Sequence, residues 1–61
     1  MTIAMQDLEL GFALVERGGG FVLRDLRTDE DVEDFTRRDQ AIDAYERARR
    51  EVRADMQRES A

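Results

Sequence analysis

Cysteine, histidine, proline, tryptophan and lysine are all absent from this sequence. Without cysteine there is no disulfide framework and no thiolate zinc site. Without histidine, a serine or cysteine triad and an imidazole-ligated metal are excluded within the chain. Long apolar runs are missing as well. The longest, Phe12 to Val15, is far short of a membrane span or a signal-peptide core, so neither is expected. Large apolar side chains are few: Leu, Ile, Val and Phe supply 14 of 61 residues, just above the roughly 20% below which a charged chain stays disordered.

Charge is what the chain has in quantity. Ten arginines stand against fifteen acids, a net charge of −5 at pH 7. That balance disfavours direct binding of nucleic acid and of anionic membranes, and favours a protein partner with a basic surface. Sixty-one residues form one domain, residues 1–61. A chain this short buries only about 60% of the surface it exposes when unfolded. Disulfides are excluded and no metal or other cofactor is called for. Self-association or a protein partner is therefore expected to supplement the core. The class is a soluble, acidic protein of the cytoplasm.

Residues 1–7 carry little pattern, and Thr2-Ile3-Ala4-Met5 is compatible with a lead-in strand, a helical turn or a frayed end. From Leu8 the apolar period is two. Leu8, Leu10, Phe12 and Leu14 fall on one face of an extended strand, with Gly11 as a candidate bulge. Gly18-Gly19-Gly20 then leads to Phe21-Val22-Leu23-Arg24-Asp25-Leu26, and glycine-rich links between apolar runs form hairpins. A Gly18-Gly19 turn makes paired positions sum to 37, which sets Leu14 opposite Leu23 and Phe12 opposite Asp25. A slip of one residue would scatter that apolar patch over both faces. The reverse face then carries Ala13, Val15, Val22 and Leu26, with no cover from this chain. That strip is a candidate dimer or partner face.

Six acids follow in ten residues: Asp25, Asp29, Glu30, Asp31, Glu33 and Asp34. Val32 and Phe35 frame a short third strand within the run. Thr36 to Asp39 match a helix-capping signal. Beyond them Ala41, Tyr45, Ala48, Val52 and Met56 follow helical spacing, widened by Ile42, as far as about Gln57. Asp43–Arg47, Glu46–Arg50 and Arg47–Glu51 sit at ion-pair spacing along this helix. The architecture is α+β. A small antiparallel sheet of two to three strands (a β-hairpin plus a short third strand, residues 8–35) packs under one long C-terminal amphipathic helix, residues 36–58.

Chemistry finds little to use. A phosphate loop opens a helix, whereas a strand follows the three glycines. A calcium loop counted from Asp29 needs glycine at its sixth position and glutamate at its twelfth, where this chain has Asp34 and Gln40. A carboxylate pair needs a pocket that a sheet under one helix has little room to form. No catalytic residue and no metal ligand is therefore assigned, and the chain is read as no enzyme. Two readings of the acid run stay open. It either imitates a nucleic-acid backbone on a basic partner, or it only keeps an exposed strand solvated. In the first reading Asp25, Asp29, Glu30, Asp31, Glu33 and Asp34, with Glu46 and Glu51 of the helix, form the partner-binding surface. Arg37 and Arg38 pair with Glu33 and Asp34, or face an acidic partner.

The stretch from Gly11 to Ala48, FALVERGGGFVLRDL followed by DFTRRDQAIDAY, resembles the strand-strand-strand-helix accessory proteins of phages and mobile elements. In that group a Phe-Thr step precedes an amphipathic helix, as Phe35-Thr36 does here. Size and acidity are similar to those of phage anti-CRISPR proteins. The resemblance implies a stoichiometric inhibitor that occupies the DNA-binding surface of a CRISPR effector complex in the bacterial host cytoplasm. It assigns no individual residue. The alternative is a small homodimeric structural module with no inhibitory role.

Overall fold

The computed structural model describes residues 2–60, with side chains as far as residue 58. Four strands and a helix follow in chain order: β1 (Thr2–Asp7), β2 (Phe12–Arg17), β3 (Gly20–Asp25), β4 (Glu30–Phe35) and α1 (Arg38–Ser60). The sheet is antiparallel throughout, in the order β1-β2-β3-β4. It has one strand more than expected, because the segment left open at the start of the chain is a full strand.

The central hairpin follows the sequence arithmetic. Phe12 pairs with Asp25, Leu14 with Leu23 and Arg17 with Gly20. Gly18 and Gly19 turn the chain at φ of 57° and 81°, a backbone that glycine adopts without steric cost. Gly20 is needed for another reason. A Cβ there would lie 2.8 Å from the Phe35 carbonyl oxygen, so the third glycine lets β4 close onto the hairpin.

The strand expected from Leu8 begins only at Phe12. Residues 8–11 are a turn built on Asp7, whose Oδ1 accepts from the Leu10 N–H at 2.9 Å and whose carbonyl accepts from the Gly11 N–H at 2.8 Å. Leu8 and Leu10 therefore do not share a face: Leu10 is buried and Leu8 is 75% exposed. Gly11, at φ 81°, closes this turn and is not a strand bulge. The bulges lie in the outer strands, between Ile3 and Met5 in β1 and opposite the Leu23/Arg24 step in β4. Each puts one extra residue into its strand and reverses which face the next side chain takes.

Helix α1 covers the face that presents Phe12, Leu14 and Leu23. Its Ala41 and Tyr45 enter the core with them and Leu10, flanked by Met5, Phe21, Phe35, Ile42, Ala48 and Val52. The helix starts at Arg38 rather than Thr36. The Ala41 N–H donates to the Arg37 carbonyl at 3.1 Å, and the Thr36 hydroxyl does not cap. At about 1.5 Å per residue, 23 helical residues run roughly 34 Å, against about 20 Å for a six-residue strand. Residues 53–58 are accordingly all exposed, and the helix overhangs the sheet.

Candidate protein-binding surface

The acid run divides by what each carboxylate touches. Asp25 lies at the end of β3. Its Oδ1 accepts from the Arg27 N–H at 2.9 Å and from Arg27 Nε at 3.2 Å, and Arg27 itself stacks over the Phe12 ring at 5.3 Å. The Arg27 guanidinium holds the Asp25 carboxyl below its usual range. Asp29 bonds Arg24 at 2.6 Å, and Asp31 bonds Arg24 at 2.5 Å and Arg17 at 3.2 Å. Arg17, then Arg24, depress the Asp31 carboxyl. These three acids are thus engaged within the chain. Glu30, Glu33 and Asp34 are exposed and make no ion pair among the described residues.

Their placement follows from the β4 bulge. In the observed register Glu33 lies opposite Leu23 and Glu30 opposite Asp25, whereas Asp34 lies opposite Val22 and Asp31 opposite Arg24. Strict alternation would put Glu30 and Asp34 on one face. The extra residue instead sets Glu30 with Glu33 and Asp31 with Asp34. Val32, at the bulge, is 57% exposed. β4 is an edge strand, so both rows reach solvent along one open side of the sheet.

Glu46 and Glu51 are exposed and unpaired among the described residues, but they do not extend that row as one patch. Five residues apart, they point about 140° away from each other around the helix. Of the three expected helical ion pairs, only Asp43–Arg47 forms. Arg37 pairs with Asp39 at 3.3 Å, not with Glu33 or Asp34, and Arg38 has no acidic partner among the described residues.

The reverse face departs from expectation. Ala13, Val15 and Val22 are 1%, 4% and 5% exposed in the single chain, so no second copy is needed to cover them. They are small residues in the two central strands. Arg24, opposite Ala13 in the β2–β3 register, turns toward β4 to bond Asp31 and Asp29, and Arg17 reaches Asp31 from β2. Leu26 is half-buried and lies in the turn after β3, apart from the strip. Its N–H donates to the Gly11 carbonyl at 2.9 Å.

One structural tie lay outside what the sequence pattern indicated. Asp7 Oδ2 accepts from Arg49 Nε at 2.8 Å, and Arg49 stacks over the Tyr45 ring at 5.5 Å. This fastens the end of β1 to the helix across 42 residues of chain. The Leu10 N–H, aided by Arg49, lowers the Asp7 carboxyl, and burial raises the Tyr45 hydroxyl. An aspartate three residues before a buried leucine and four before a glycine was the turn signal that marked it.

Among the described residues no group of three potential metal ligands converges. A concavity lined by Glu51, Ala54, Asp55 and Arg58 lies on one helix with no second element opposite. No described helix is long and apolar enough to cross a membrane. Comparison with protein-family models, with curated proteins and with solved structures finds no match to this chain.

Proposed function

We propose that the chain is a non-enzymatic inhibitor that docks its acidic edge on the basic surface of a nucleic-acid-handling protein complex. The observation that carries this reading is the set Glu30, Glu33 and Asp34: three exposed carboxylates without internal partners on one open strand edge. At about 3.4 Å per residue they span roughly 14 Å, a length that an arginine- and lysine-lined groove for a nucleic-acid strand can match. Charge-assisted bonds to such a groove steer association and exclude the nucleic acid. A CRISPR effector complex in the bacterial cytoplasm is the partner implied by the likeness to phage anti-CRISPR proteins.

The test is a mobility-shift titration of target DNA on purified CRISPR effector complexes, with the full chain as competitor. DNA binding is expected to be lost at stoichiometric chain. The combined variant Glu30→Gln, Glu33→Gln, Asp34→Asn should need about tenfold more protein, in line with the loss of several exposed charge pairs. Asp29 and Asp31 are left intact because they anchor Arg24. DNA binding that persists at saturating chain, or an equally potent variant, would remove the proposal.

A further inference from the structure

The sheet has two open edges, and they are chemically opposite. β4 carries Glu30, Asp31, Glu33 and Asp34 within six residues. β1 carries no charged side chain from Thr2 to Gln6. Thr2, Ile3, Ala4 and Gln6 are exposed, Ile3 at 56%. The helix backbone runs over β2, β3 and β4 but not over β1. Both edges have a bulge, so bulging does not distinguish them. Natural sheets block unwanted strand addition by charging the edge, and here only β4 is so protected.

We infer that β1 is the site at which a second copy of this chain adds its own β1, antiparallel, to form a two-fold, eight-stranded sheet. Charge decides between this copy arrangement and the others. Pairing through β4 would bring two acidic rows about 4.8 Å apart, well inside a Debye length of roughly 8 Å at physiological salt. Pairing through β1 leaves seven strand spacings between the two β4 edges, about 34 Å, where screening removes their repulsion. Antiparallel pairing of one strand with itself is self-complementary and closes at two copies, so no further edge-to-edge growth follows. A dyad at Ala4, the extra residue of the β1 bulge, puts a small side chain where the copies approach most closely and sets each Ile3 opposite Met5 of the other copy, on the other face of the joined sheet. The inference is independent of what the acidic edges bind, and the dimer leaves both of them open at its two ends.

The experiment is light-scattering mass measurement on the full chain over about a hundredfold concentration range, read beside amide hydrogen exchange. The mass should rise from 7.1 kDa toward twice that value. Ala4→Asp should shift the midpoint at least about tenfold to higher concentration, because like charges meet at the dyad. Val32→Asp, on the other edge, should leave the midpoint unchanged. In the unsubstituted chain, β1 amides should lose protection on dilution while β3 amides keep it. That reading stands even where Ala4→Asp fails to fold. A monomer at every concentration, a dimer indifferent to folded Ala4→Asp, a dimer broken by Val32→Asp, or β1 protection independent of concentration would each overturn the inference.

Discussion

Asp7 does three jobs with two carboxylate oxygens and a carbonyl: it closes the first turn on Leu10 and Gly11 and holds Arg49 of the helix. Asp25 and Asp31 are likewise tied to arginines. All three carboxyls lie below their ordinary value of 3.8, Asp7 chiefly through the Leu10 N–H and the other two through arginine. For a depressed carboxyl, the unfolded chain takes up protons before the folded one does. The stability it contributes is present above 3.8 and is lost as the pH falls through the folded value. The melting temperature should therefore hold steady from neutral pH down to about 4 and decline below that. Asp7→Asn should melt lower at neutral pH, with the gap closing in acid. Thermal melts by circular dichroism across pH check both; a constant gap would assign Asp7 a purely geometric role. The Asp7 and Asp31 pairings with arginine were hard to see beforehand, because those partners are set by which strand ends meet, not by spacing along the chain.

Elements differ in how far their own pattern specified them. The hairpin and the helix were legible because a period of two from Phe12, a glycine turn and a period of 3.6 each run over several residues, whereas the same period carried back to Leu8 misled, since Asp7 turns the chain there. β1 was not, because the bulge between Ile3 and Met5 moves those two side chains to opposite faces and breaks the alternation. β4 was seen as a shorter strand for the same reason. At the other end of the chain, the helical pattern continues to Met56 although the sheet beneath ends near Val52. Ending the chain after Arg53 should therefore change unfolding stability by less than about 1 kcal/mol, as surface changes do. Helical ellipticity should drop by about a third, the share of α1 removed. Denaturant titration and far-ultraviolet circular dichroism measure the two. A large loss of stability would show that residues 54–60 brace the core.

For the whole molecule, the core is small and its centre is a single residue. Among the described residues, Leu14 is the one large side chain that is fully buried. Leu-to-Ala changes at such sites cost about 2–5 kcal/mol, and a domain of this size has roughly 3–5 kcal/mol in total. Leu14→Ala should leave most of the chain unfolded at room temperature, as read by denaturant titration; a cooperative fold of nearly unchanged midpoint would contradict the single-core packing. Charge is distributed as unevenly as burial. Residues before Arg38 hold nine acids against four arginines, whereas from Arg38 onward six stand against six, so the sheet carries the whole net charge. The sequence by itself determined the α+β class, the hairpin register, the helical stripe and the acidity, since all of these are local periods or plain counts. Only the tertiary structure decided which carboxylates are neutralised, that the reverse apolar strip is buried within the single chain, and that β1 completes the sheet. Those outcomes depend on which residues distant in the chain lie side by side, and a one-residue bulge changes that while leaving composition and local pattern untouched.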